Sequence, residues 1–311
     1  MSLAPLDAGI FAWLADTPGD GYPNAGLVID ADAATVVDTL CVPSQTAPFV
    51  AAIRDAGHRV RRAVLTGSTI ECVGGTAAFT MAGMYGRRQT SVHLDQPPTP
   101  DIYRRLLPAV ADEFDDELST KPVSHIVETP AQLTPAITLH PLSGAQEENL
   151  VAVVPGAGIC FAGAMASFGV TPRCYQGNPS VWADQLDQLL DLAPVIVPGH
   201  GPIGGEEEVR DLQGYLRAVV EADGDPGAIA PGPWDAWSHR NHDAVNVERA
   251  AMLAGIIRYK KGIASPYHFH ENCEHFYFFL EGAGTVETEE GSTPISPGTL
   301  VFIPADEKHR L

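Results

Sequence analysis

The stretch Gly262–Gly282, GIASPYHFHENCEHFYFFLEG, decides the reading of the C-terminal part of the chain. Its centre, His268-Phe269-His270, alternates imidazole with an aromatic ring. On a β-strand successive side chains point to opposite faces, so His268 and His270 share one side and Phe269 takes the other. His275 opens a second run, in which Tyr277 and Phe279 share its side while Phe276 and Phe278 face away. Downstream, SPGTLVFIPADEKHR (Ser296–Arg310) reads as a strand bounded by turns and brings in His309. The short segments HFYFFLEGAG, GTVETEE and GTLVFIPA, separated by Gly and Pro, predict an all-β barrel or sandwich. Neutral imidazole is the commonest metal ligand, and several converging on one interior suit Zn, Fe, Ni, Mn or Cu.

These residues resemble the cupins. The first cupin motif is a glycine, five residues, HxH, three or four residues, a glutamate, six residues and a glycine. Here Gly262, His268, His270 and Gly282 match, and His275 stands where the glutamate is usual. Glu274 is one register off and points away on a regular strand. Pro297, Gly298 and Pro304 leading to His309 resemble the second motif. The resemblance implies one divalent transition metal held by His268, His270, His275 and His309, with Tyr267 and Tyr277 as pocket residues. Cupins usually run on past this last histidine, whereas this sequence ends at Leu311. An open sheet edge is an aggregation hazard, so the expectation is that another segment or a second copy covers it, most simply in a homodimer.

Working back from that stretch, Asp223–Pro233, DGDPGAIAPGP, has the composition of a linker. It separates an expected domain over residues 1–222 from one over 234–311. The earlier part alternates strand-like segments (AGLVID, ATVVDTL, RRAVLTG, ITLHPL, APVIVPGHG) with helical ones (Pro48–Ala56, VWADQLDQLLDL, Glu206–Ala222). That alternation predicts a layered α+β domain. The uncharged run Leu150–Val170 is long enough to raise a membrane span, but Pro155, Gly156 and Gly158 interrupt it. It reads as a buried hairpin, LVAVV and GICFAGA, around a PGAG turn.

The segments NAGLVIDADAATVVDTL, VLTGSTIECVGGTAAF, LVAVVPGAGICFAGAMAS and VIVPGHGPIGG resemble, in order, the landmarks of the metallo-β-lactamase superfamily. The resemblance implies an αββα sandwich. The family's loop THxHxDH corresponds to TGSTIEC, so its histidines become Gly67, Thr69 and Cys72 and its aspartate Glu71. Gln146 stands at a further histidine position, Ala164 at the bridging aspartate, and His200 alone is unchanged. Gly67 and Ala164 have no donor atoms, and Thr69 and Gln146 are poor zinc ligands. A dinuclear hydrolase is thereby excluded on its ligands, since nothing polarises a carbonyl while generating hydroxide. Glu71, Cys72 and His200 map to one side of the family's centre and leave two readings, a remnant mononuclear site or a scaffold without metal. Asp38 resembles the structural aspartate that orients the ligand loop.

Composition limits the partners. With 19 Lys and Arg against 39 Asp and Glu, the formal charge is −20, which repels phosphate-rich nucleic acids and anionic membranes. Five scattered cysteines without a CxxC pair, and no basic-plus-apolar leader, read as a cytoplasmic protein. The expected function is metal-dependent cupin chemistry of dioxygenase, cyclase or isomerase type on a small organic substrate. A non-catalytic metal or ligand sensor or scaffold is the alternative, and a residual mononuclear hydrolase the weakest.

Overall fold

The computed structural model describes residues 3–30, 33–95, 97–115, 118–174, 177–221, 247–249, 252–254, 262, 264–265, 267–269, 275–289, 291–304 and 307–311. The chain divides into two units, Met1–Gly255 and Ile256–Leu311. The expected linker 223–233 lies outside the described residues.

In the first unit the chain runs β1 (Leu3–Asp7), β2 (Ile10–Trp13), β3 (Ala25–Asp30), β4 (Ala33–Val37), α1 (Pro43–Asp55) and β5 (Val60–Val64). The one-turn α2 (Ile70–Val73), β6 (Gly83–Gly86), α3 (Arg88–Asp95), α4 (Pro100–Leu106) and β7 (His125–Ile126) follow. The seven strands form one sheet in sequence order, antiparallel through β4 and parallel from β4 to β7. A second sheet takes β8 (Ala131–Gln132), β9 (Thr138–Leu142), β10 (Asn149–Val154), β11 (Ile159–Ser167) and β12 (Val195–His200) in the order β12-β11-β10-β9-β8. The expected hairpin is β10 and β11, paired antiparallel. All six residues of β10 are buried, as in a strand covered on both faces.

Two helices belong to the second sheet, α5 (Pro179–Leu192) and α6 (Glu206–Glu221). The Asn178 side chain caps α5 by accepting from the amides of Ser180 and Val181. Trp182, Leu186 and Leu189 are buried against Ile196, Leu212 and Leu216. Glu206–Glu208 form the first turn of α6, where acidic side chains suit the helix dipole. Helix α1 starts five residues before the expected Pro48, because Pro43 at its first position is already set for helical geometry.

Three apolar layers result. Trp13, Leu27, Val36 and Phe49 lie on the α1 side of the first sheet. Ile10, Val28, Val64, Leu150, Ala152 and Phe161 fill the space between the sheets. The third layer lies under α5 and α6. Helix, sheet, sheet, helix is the αββα order. A Cβ on Gly26 would sit 2.4 Å from the Phe161 ring, so only glycine allows β3 to come this close to β11.

Described next are β13 (Val247–Arg249) and β14 (Met252–Ala254), an antiparallel pair. The second unit holds β15 (His275–Phe278), β16 (Gly284–Thr288), β17 (Gly291–Ile295), β18 (Leu300–Ile303) and β19 (His309–Arg310). Strand β15 pairs with β18, and β16 lies between β17 and β19, all antiparallel. Val286, Ile295 and Ile303 form its buried apolar centre. Among the described residues no helix is long and apolar enough to cross a membrane.

Candidate functional site

His268 and His309 meet in the second unit. A backbone bridge links them, with His268 N–H donating to His309 O at 3.0 Å and the reverse bond at 2.8 Å. Their rings lie 4.6 Å apart between centroids, tilted by 49°. His309 is buried, and its Nδ1 lies 2.9 Å from the Glu307 carbonyl. A carbonyl only accepts, so in the neutral ring Nδ1 carries the proton and Nε2 keeps its lone pair. The Tyr277 hydroxyl donates to that Nε2 at 3.2 Å. Imidazoles that bind metal are commonly oriented in this way, one nitrogen tied to a carbonyl and the other presenting a lone pair, which here takes the Tyr277 hydroxyl.

His268 and His309 have the donor chemistry of a transition-metal site, but among the described residues they stand as two imidazoles, without a third His, Cys, Asp or Glu grouped with them. His275 is the first residue of β15, opposite Ile303. His270 lies outside the described residues. Half-buried Tyr277 reaches the His309 imidazole, whereas Tyr267 is 45% exposed and carries the Arg310 guanidinium 5.9 Å from its ring centre.

The expected remnant site in the first unit has a different occupant. Turn residues after β5 and the short α2 bring Glu71 and Cys72 towards His200 at the end of β12. His200 Nε2 lies 3.0 Å from Glu71 Oε1, which also accepts the Gly21 amide at 2.7 Å. The other oxygen, Oε2, takes Arg173 Nη1 at 3.4 Å, and Arg173 Nη2 lies 2.7 Å from Asp20. Burial pushes the Glu71 carboxyl up. Arg173, then His200 and the Gly21 amide outweigh it and hold the pKa at about 2.

Cys72 stands apart from that pair. Its Sγ lies 3.6 Å from the Thr66 hydroxyl and 3.5 Å from that of Thr69. Burial first, and the charge of Asp38 second, push the thiol well above its ordinary range. Among the described residues, no three His, Cys, Asp or Glu side chains are grouped to hold a metal. A metal beside Glu71 would also face a guanidinium. These residues do not fit the family's metals.

The vacated positions are filled in concert. Gln146 Oε1 accepts the Ser68 amide at 2.7 Å, and its Nε2 donates to the Ser68 hydroxyl at 2.6 Å. A Cβ on Gly67 would lie 2.3 Å from Gln146 Oε1, so the amide occupies the space a side chain at residue 67 needs. Asp38 accepts the Thr66 amide at 2.8 Å and the Thr66 hydroxyl at 2.6 Å, orienting the loop as its resemblance implies. What is left is a cavity of about 50 Å³ lined by Asp20, Asp38, Glu71, Gln146, Arg173 and His200 among others, room for a few waters.

Arg173 and Asp20 are the residues missed by motif reading. One signal was present: Arg173 is the sole Lys or Arg between Lys121 and Arg210. A lone cation in such a stretch has few roles besides pairing with a carboxylate.

Residues 255–311 match the family model described as Cupin domain. A search of curated proteins finds no match. Solved structures resemble the larger part of the chain. The metallo-β-lactamase FIM-1 from Pseudomonas aeruginosa, in a mono-zinc form, is 19% identical with a TM-score of 0.55, over 70% of this chain and 95% of that one. A metallo-β-lactamase from Hirschia baltica is 19% identical, TM-score 0.52, over 69% and 96%. One from Erythrobacter litoralis is 20% identical, TM-score 0.53, over 69% and 95%. At such identities the likeness shows the fold. The chain therefore joins an N-terminal domain of the metallo-β-lactamase fold to a C-terminal cupin domain.

Proposed function

We propose that the cupin domain binds one divalent transition metal through His268, His270, His275 and His309 and carries out metal-dependent chemistry on a small organic substrate. The observation that carries this reading is the oriented Nε2 of His309 beside His268, backed by the Glu307 carbonyl. The metal would supply a Lewis acid for substrate oxygens or, as iron, a route to dioxygen. Four neutral imidazoles leave its charge uncompensated, which favours anionic or enolisable substrates such as diketones and phenols. Tyr277 would orient such a substrate through its hydroxyl, and its ring, with Phe279, gives the site an apolar wall. In this reading the N-terminal domain is a hydrolytically inactive scaffold, supported by the pairing of Arg173 with Glu71 and by Gln146 filling the space beside Gly67.

Four buried cysteines, Cys41, Cys72, Cys160 and Cys174, suit a reducing compartment, and the charge of −20 argues against nucleic acid and anionic membranes as partners. A second copy of the chain is the partner we assign to the outer face of β15 and β18. Phe276 stands opposite Phe302 and Phe278 opposite Leu300, and with Leu280 these five are 46–62% exposed. At roughly 150–250 Å² for a large side chain they present on the order of 500 Å² of apolar surface. That is the upper end for a patch left on a monomer and enough for the apolar centre of an interface burying about 800 Å² per partner.

The test is metal content by mass spectrometry for the full chain, His268→Ala/His309→Ala and Glu71→Ala/His200→Ala. About one metal per chain, lost in the first variant and kept in the second, is expected. Metal kept in the first variant and lost in the second would move the site to the N-terminal domain. No metal after reconstitution would leave a ligand sensor or scaffold.

A further inference from the structure

A second cavity, of about 360 Å³, opens on the opposite chemistry from the rest of this acidic chain. It lies between the second half of α1, the start of β5 and residues 78–81. Its volume falls in the range of roughly 300–1,000 Å³ in which small-molecule sites occur. Val50, Ile53, Phe79 and Met81 supply apolar lining. Ile53 and Phe79 are anchored in the core, at 1% and 4% exposure, while Met81 is 73% exposed. Arg54, His58, Arg59 and Arg61 supply the polar lining, and no carboxylate lines the cavity among the described residues.

The charge balance is unusual here. The chain carries about two carboxylates for each Lys or Arg, yet three guanidiniums and an imidazole gather around one opening. Arg54 is held by its neighbour Asp55 at 3.1 Å. Among the described residues no ion pair is formed by Arg59 or Arg61. The backbone is specialised at the same place. Ala34 pairs with Val60 and Thr35 with Arg62, so Val60 and Arg61 together oppose one residue of β4. This is a β-bulge in a parallel pair, a rare setting, and bulges re-aim side chains next to sites. Arg59 and Arg61, two residues apart, share one side of an extended chain.

We propose that this cavity binds a small organic anion with an apolar body, of the class of a medium-chain carboxylate. The head group would sit between Arg59 and Arg61, where a planar guanidinium pairs with a carboxylate through two parallel hydrogen bonds. The chain would lie along half-buried Val50 and exposed Met81, over a floor closed by Ile53 and Phe79. A bare inorganic anion leaves the apolar lining unused, and a neutral alcohol leaves the guanidiniums unpaired.

The experiment is calorimetric titration of the full chain with octanoate, acetate and 1-octanol, repeated on Arg59→Gln/Arg61→Gln and Met81→Glu. All three substituted side chains are at the surface, and far-UV circular dichroism checks that each variant is folded. Saturable octanoate binding is expected, weakened about tenfold or more in both variants, with acetate and octanol weaker by about tenfold or more on the wild type. No saturable octanoate binding overturns the proposal. So does equal binding in the arginine variant, or octanol binding as tightly as octanoate, since either would mean that the guanidiniums do not hold the head group.

Discussion

Replacing Arg173 by methionine removes the guanidinium that pairs with Glu71 and Asp20 and leaves the apolar stem in place. Glu71 is 4% exposed and would keep only His200 and the Gly21 amide as partners. In the wild-type fold its pKa falls from 4.5 to about 2, which corresponds to roughly 3 kcal/mol of preference for the ionised side chain in the folded state. Because the folded value is the lower one, this stabilisation is complete above pH 4.5 and is lost as the pH falls towards 2. Without Arg173 burial becomes the dominant influence and raises the carboxyl. The expected loss is about 3–5 kcal/mol at pH 7, the usual cost of stranding one member of a buried ion pair. The loss should shrink below pH 5 as Glu71 takes up a proton, and most of it should be recovered in Arg173→Met/Glu71→Gln. Urea unfolding followed by the fluorescence of buried Trp13 and Trp182 measures it. A loss below about 1 kcal/mol at pH 7, or an equal loss in the single and double variants, would refute an ion pair as the pocket's organising cation. Chelator reproducing the loss in the wild type would assign that role to a metal.

Two further outcomes follow from single observations. Burial pushes the Asp38 carboxyl from 3.8 up to about 7 despite its two bonds from Thr66, so its contribution is present below pH 3.8 and lost as the pH rises through 7. Asp38→Asn keeps a neutral side chain, and asparagine tolerates the left-handed backbone at φ 60°. It should flatten the decline in N-terminal stability between pH 4 and 7, and a wild type already flat over that range would contradict the assignment. For the second copy on β15 and β18, Phe276→Asp/Phe302→Asp should convert a sedimenting dimer to a folded monomer. A monomeric wild type, or a variant that stays dimeric, would remove that interface.

The expected helix in VWADQLDQLLDL appears as α5, with Trp182 and its leucines inward, because a stripe at helical spacing has only one way to leave water. The hairpin around PGAG was equally readable, since a proline and two glycines clustered within four residues favour a turn between two apolar runs. Strand β17, GSTPI, has no alternating apolar pattern and is made by its neighbour β16, so local sequence could not announce it.

Sequence alone determined the two-part design and the order of strands and helices, because side-chain chemistry and periodicity are local properties. It also placed the cupin histidines at family spacing. Tertiary structure alone decided what fills the vacated pocket. Arg173 lies 102 residues from Glu71, and Gln146 lies 78 from Ser68. Those pairs exist only where the sheets bring distant loops to one end. The direction of the Glu71 pKa was settled there too, since burial and a guanidinium at 3.4 Å act in opposite senses and only their geometry decides which prevails.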